Sequence, residues 1–187
     1  AGRRVLDLTR LLPGGFATRL LADLGAEVVK LEDLAAGDYL RTISAQMLAA
    51  LNSGKRSLAL NLRNPQGRAA FLRVLPGFDV LVESFRPGVL DKLGVGWEVL
   101  HQENPRLIYC AISGYGQTGP YRLRAGHDLD YIARSGVLAY GGELGGAPAV
   151  PGVQVGDIGG GSLFALVGIL AALHERQRTG QGRLVDI

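Results

Sequence analysis

One cysteine, one tryptophan and one methionine occur in the 187 residues, and these shortages narrow the field. A lone Cys110 rules out a disulfide framework. It sits in the apolar run Leu107–Ile112, which reads as a buried strand and not as the niche of a nucleophile. The three histidines, His101, His127 and His174, form no group with metal-ligand spacing, so no metal is expected. His101 and His174 fall in helical patterns among polar neighbours and are expected at the surface. Long apolar runs are also missing. The longest, Leu163 to Leu173, covers eleven residues, against roughly twenty for a bilayer span. It is expected to be a core helix, with no membrane as a partner. The opening Ala-Gly-Arg-Arg lacks the apolar core of a secretion signal behind it, so a reduced, cytoplasmic setting is expected.

Charge of one sign is scarce as well. Lys and Arg number 20 against 17 acids, a formal charge of +3. The excess is scattered, without the basic runs interleaved with aromatics that build a nucleic-acid platform, so no nucleic acid is expected. The mild positive balance suits a small polyanionic ligand.

Glycine, by contrast, is abundant at 28 residues. Many glycines separate short apolar strands from apolar helices. Val5–Leu8 reads as a strand, Pro13-Gly14-Gly15 as a turn, Phe16–Leu24 as a helix ended by Gly25, and Glu27–Leu31 as the next strand. Strands over 57–62, 79–82, 107–112 and 183–187 alternate with helices over 65–75, 87–93, 97–103 and 157–178. Asn64-Pro65 supplies a cap and a favoured first-turn proline. Such alternation predicts a Rossmann-like open parallel α/β sheet with flanking helices, whose ligands sit at the carboxyl ends of the strands. Asp33–Arg56 reads as a polar connector with an amphipathic patch at Met47–Leu51, and Gly141–Gly156 as an active-site loop. The chain stops inside the apolar strand Leu184–Ile187, which suggests part of a longer protein.

The first strand is not followed by Gly-x-Gly-x-x-Gly, so no dinucleotide fingerprint exists. Gly54-Lys55-Arg56-Ser57 has two readings: a solvated turn, or a phosphate clamp formed by Lys55 and Arg56. His127, in Gly126-His127-Asp128, stands at a loop-to-helix junction and reads as a first-turn residue or an acid/base group. Asp157 precedes the most apolar helix and reads as its cap. The run Gly159-Gly160-Gly161 after it also offers bare amides for an oxyanion.

These residues also carry a resemblance. Gly126-His127-Asp128-Leu129-Asp130-Tyr131, Ser135-Gly136-Val137-Leu138 and Gly156-Asp157 with its glycines are similar to the class III CoA-transferase superfamily, in particular its α-methylacyl-CoA racemase branch. Val82-Glu83-Ser84-Phe85-Arg86-Pro87-Gly88, Gly54–Ser57, Asn104–Ile108, Ser113–Gln117 and Thr179–Gly182 match in the same order, so the similarity covers nearly the whole chain. The resemblance implies a CoA thioester as substrate and no further cofactor. It also implies that residues 1–187 are the N-terminal part of a CoA-binding large domain, with a small domain beyond and two interlocked subunits. By the same resemblance CoA contacts fall on Leu60, Asn61, Leu62, Arg63, Ser84, Phe85, Arg86 and Lys92, joined by Gly126 and Tyr131. The catalytic residues fall on His127 and Asp157. One departure stands out: Asp33 occupies the place of an arginine that commonly meets CoA, leaving Arg41 or Lys30 to compensate.

Inverting a 2-methylacyl thioester requires two acid/base groups flanking the α-carbon and donors for the enolate oxygen. His127 and Asp157 are the expected pair, with Gly159 and Gly160 as amide donors. His127 would take the proton from the (S)-thioester while Asp157 returns one to the opposite face, and the roles would exchange for the (R) substrate. Two alternatives remain open. In CoA transfer to a carboxylate, Asp157 acts as the nucleophile. In a non-catalytic fragment, the chain only binds CoA.

Overall fold

The computed structural model describes residues 2–187. β1 (Arg4–Asp7) leads into α1 (Leu11–Asp23) and β2 (Glu27–Glu32). Two short helices, α2 (Leu40–Ile43) and α3 (Ala45–Asn52), precede β3 (Arg56–Ala59). Then come α4 (Pro65–Val74), β4 (Val80–Glu83), α5 (Val89–Lys92), α6 (Trp97–Glu103) and β5 (Ile108–Ala111). A long loop reaches α7 (Asp128–Arg134). Beyond it lie a glycine-rich π-helical run (Val155–Leu163), α8 (Phe164–Thr179) and β6 (Arg183–Asp186).

All six strands are parallel and lie in the order β3-β2-β1-β4-β5-β6. The chain winds outward from β1 to β3, returns, and winds the other way from β4. The order therefore reverses between β1 and β4, the crevice where open α/β sheets receive ligands. Adjacent strand residues point to opposite faces, and both faces are covered. Leu6, Val29, Leu81 and Tyr109 pack with Phe71 of α4 and Leu100 of α6. Val5, Val28, Val80 and Cys110 pack with Leu21 of α1 and Ile169 of α8. That burial on both sides explains the continuous apolar strands and leaves Cys110 inside the sheet, as expected.

Local signals acted largely as anticipated. Asn64 accepts a hydrogen bond from the Gln66 amide (2.8 Å) ahead of Pro65. Gly180 ends α8 in the left-handed region at φ 71°. Three expectations need correction. Pro13-Gly14-Gly15 does not turn the chain but lies inside α1. A proline in the first turn forfeits no helical bond, and Gly14 is required by close approach, since a Cβ there would stand 2.3 Å from the Thr9 side chain. The connector over 33–56 holds more regular structure than its weak periodicity suggested: α2 and α3 lie within it, and the amphipathic patch Met47–Leu51 belongs to α3. His101 is not a surface residue; it is half-buried and stacked on Trp97 at 4.5 Å.

The continuous run Val155–Thr179 is long and apolar enough to cross a membrane by length and composition, more than the eleven-residue stretch suggested. Ala165, Ile169 and Ala172 are buried against the sheet, but Leu163, Phe164, Val167 and Leu170 are exposed, so the helix covers the sheet with one face and is not the fully buried core helix expected.

Candidate active site

A cleft of about 910 Å³ opens at the carboxyl ends of β1 and β4, where the strand order reverses. Its walls come from the residues after β1 (Arg10, Leu11), after β4 (Ser84–Pro87), after β5 (Ile112–Gly116), the start of α7 and the π-helical run. Leu11 holds a left-handed backbone at φ 62°, a conformation that costs a branched side chain roughly 1–3 kcal/mol. Its N–H donates to Asp38 Oδ1 (3.1 Å), which anchors the strained residue on the cleft wall.

His127 and Asp157 both line this cleft. His127 is the residue at which α7 begins. Its N–H donates to the Asp130 carboxylate (2.9 Å), and its carbonyl accepts the Asp130 N–H (2.9 Å). The neighbouring Asp128 then reaches the second element, its Oδ1 accepting the Asp157 N–H at 2.9 Å. Ser162 secures that element against α1 by donating to the Pro13 carbonyl (2.7 Å). Burial first, and the adjacent Asp128 charge second, raise the Asp157 carboxyl above its ordinary range, with His127 pulling the other way. The arrangement offers one imidazole and one carboxyl whose proton affinity is raised, on two elements tied together through Asp128.

Tyr131 fixes the approach to His127. Its ring fills the space beside Gly114 and Gly126, where a Cβ would stand 2.2 and 2.6 Å from the ring. Its hydroxyl donates to the Gly126 carbonyl. Burial foremost, and then the Asp157 charge, push the Tyr131 hydroxyl up to about 12, so it stays protonated at neutral pH.

The model of CoA-transferase family III matches residues 1–187. The chain belongs to CoA-transferase family III. It is 44% identical over 185 residues to the alpha-methylacyl-CoA racemase of Homo sapiens, covering 99% of this chain and 46% of that protein. It is 43% identical over 191 residues to the succinyl-CoA–D-citramalate CoA-transferase of Chloroflexus aurantiacus, covering 98% and 47%. A crystal structure of a CaiB/BaiF family protein from Brucella suis superposes with a TM-score of 0.93 at 38% identity, over 99% of this chain and 51% of that one. The chain thus spans about half the length of the curated relatives it matches.

Within this family III chain, the residues singled out from sequence separate into two groups. Ser84, Phe85, Arg86, Gly126, Tyr131, His127, Asp157 and Gly160 meet on the cleft. Leu60, Asn61, Leu62 and Arg63 follow β3, two strands from β1, and Lys92 lies in α5; none of the five lines the cleft. Leu62 is buried in the core, while Asn61 accepts the Arg63 N–H (3.0 Å) in a tight turn. Gly159 does not line the cleft either. The Gln154 carbonyl accepts the Ile158 N–H (2.9 Å) at the entry to the run, while Gly160 itself lines the cleft. The run begins earlier, at Val155 and Gly156, which do line the cleft. Asp157 lies within the first turn and does not cap it, since the residue before the run is Gln154. Of the glycine-rich loop over 141–156, only Gly156 joins Val155 on the wall.

The proposed basic clamp is not formed. The Lys55 side chain is buried and donates to Asp7 Oδ2 (2.9 Å), the Gly15 carbonyl (3.0 Å) and Thr18 Oγ1 (2.8 Å), so its ammonium does not face solvent. Arg56 is exposed and pairs with Glu27 at 3.1 Å, at the amino end of β2 and away from the cleft. Nor do Arg41 and Lys30 replace the missing arginine: Arg41 grips Glu32, and buried Lys30 meets Asp38 at 3.0 Å. The cation beside Asp33 is Arg10, which sequence reasoning missed. Its guanidinium pairs with Asp33 and with the Tyr39 hydroxyl (3.0 Å) and lies 5.5 Å from the Phe85 ring. Its N–H donates to Ser84 Oγ (3.0 Å). The one available signal was position, since Arg10 directly follows the first strand at the switch point. Among the described residues no group of His, Cys, Asp and Glu could hold a metal ion.

Proposed function

We propose that this protein is an α-methylacyl-CoA racemase, interconverting (R)- and (S)-2-methylacyl-CoA through an enolate. The observation that supports this reading is the shared cleft of His127 and Asp157. Two acid/base groups from separate elements are what removal of an α-proton from one face and its return to the other demand. In the (S)→(R) direction the imidazole of His127 takes the α-proton and the C–H pair passes into the enolate. The protonated Asp157 carboxyl then delivers its proton to the opposite face. Burial and the Asp128 charge raise the proton affinity of the Asp157 carboxyl, the direction a group that must carry and release a proton needs. The amides at the start of the π-helical run are the candidate donors to the enolate oxygen.

In this reading the Ser84–Arg86 turn and Arg10 receive the CoA moiety, whose phosphates account for the mild positive balance. Leu60–Arg63 and Lys92 extend that contact outside the cleft. CoA enters as part of the substrate and no other cofactor is invoked. The chain is the N-terminal part of the large domain, a small domain lies beyond it, and two subunits interlock in a cytoplasmic enzyme.

Transfer of CoA to a carboxylate is the second reading, favoured by the comparable identity to CoA-transferases. There, Asp157 attacks the thioester carbonyl, CoA leaves as thiolate, and a mixed anhydride forms. The full-length protein in deuterium oxide with (S)-2-methylacyl-CoA decides between them. Deuterium at the α-carbon with loss of stereochemistry, abolished by His127→Ala and by Asp157→Asn, supports the racemase. CoA passing to an added carboxylate, dependent on Asp157 alone, replaces it with the transferase. Binding with neither reaction leaves a CoA-binding module.

A further inference from the structure

On the α7 side of the cleft, Tyr121 gathers two cations. The guanidinium of Arg124 lies 4.3 Å from its ring centroid and that of Arg134 lies 5.1 Å away. Tyr115 meets Tyr121 edge-on at 5.7 Å and braces the ring from beneath. Arg122 lines the same wall, and all three arginines are exposed. Among the described residues, none of the three forms an ion pair with a carboxylate. Two like charges brought to one ring repel each other, and ring quadrupoles offset this only in part. What completes such a pair is an anion with planar oxygens, which guanidinium forks bind bidentately.

We propose that Arg124 and Arg134, set on Tyr121, form a subsite for an anionic oxygen group carried by the bound thioester. Arg134 ends the helix that His127 begins, about 10 Å along its axis, so the anion stands away from the reacting carbon and serves recognition. The group is either a carboxylate at the far end of the acyl chain or a phosphate of the nucleotide. The proposal rests on reading the cleft as a thioester site and is indifferent to which reaction follows.

Dissociation constants of four ligands test it, measured on the full-length protein and its Arg124→Gln/Arg134→Gln variant. The ligands are a 2-methylacyl thioester with a methyl or a carboxylate terminus, each on CoA and on pantetheine. A loss of about tenfold confined to the two carboxylate-tipped ligands assigns the subsite to the acyl chain. The same loss confined to the two CoA ligands assigns it to a phosphate. Equal or no loss on all four overturns the subsite while the cleft reading stands. If the unaltered protein binds none of them, the cleft reading itself falls. Both residues are exposed, so an unchanged melting temperature is expected and shows that the variant folds.

Discussion

The two sides of the sheet treat positive charge in opposite ways. On the β1–β3 side Lys55 and Lys30 are sealed inside and matched to Asp7 and Asp38, and Arg41 is clamped on Glu32. On the α7 side Arg122, Arg124 and Arg134 stand exposed in the cleft beside Tyr121, without a carboxylate. A cation that is desolvated must be paired within the fold. A cation kept in water needs no partner and stays available to a ligand. The difference teaches that burial, not charge, separates the lysines that build this protein from the arginines that can recognise something.

Substitutions can break or sharpen that contrast. On the racemase proposal the largest effect is expected at the two titratable cleft residues: His127→Ala and Asp157→Asn each lower α-proton exchange by roughly 10²–10⁴-fold, with melting temperature unchanged. Deuterium NMR and calorimetry on the same samples check both halves. Next comes Lys55→Met, which strands the Asp7 charge inside the protein and destabilises by about 3–5 kcal/mol in urea unfolding. Burial pushes the Asp7 carboxyl up, but the charges of Lys30 and Lys55 and the hydrogen bonds from Thr9 and Lys55 leave it below its usual range, so removing Lys55 exposes part of the burial cost. A stability loss below that of an ordinary surface substitution would erase the distinction between the two sides.

Glu83 supplies a smaller, pH-dependent effect. It is buried at the carboxyl end of β4, accepting the Phe85 N–H (2.6 Å) and the Tyr109 hydroxyl (3.3 Å). Burial above all raises it to about 7, with Asp91 and Asp186 adding to the shift. The folded state therefore holds a proton that the unfolded chain releases near pH 4.5. The stabilisation is complete below pH 4.5 and is lost as pH rises through 7, by roughly 3 kcal/mol in all. Unfolding free energies at pH 5 and pH 8 should show this slope in the unaltered protein and lose it in Glu83→Gln. Smallest of all is Arg56→Ala, expected within about 0.5 kcal/mol because its partner Glu27 lies at the exposed rim.

Much of the architecture was legible beforehand. Apolar runs such as Val80–Val82 and Ile108–Ile112 mark strands covered on both faces, and Gly25 and Gly180 mark helix ends. His127 and Asp157 were visible because glycines beside a helix start are costly unless space or conformation requires them. Tyr131 was legible as a site residue, but its bond to Gly126 was not. Two failures share one cause. Lys55 beside Arg56 looks like a basic pair, yet alternate side chains of that segment face different environments, and only one is buried. Tyr121 and Arg124 form no basic run, and Arg134 lies ten positions further on. α7 brings it back to the same ring.

The sequence by itself determined the parallel α/β fold, because hydrophobic periodicity and glycine or proline punctuation act within a few residues. It also marked His127 and Asp157, which the fold brings to one cleft, through their immediate neighbours. The tertiary structure alone decided which charges are spent. Lys55 meets Asp7 across 48 positions, and Arg10 meets Asp33 across 23. Pairing at such separations depends on where the sheet sets each residue relative to water, and no local pattern encodes that.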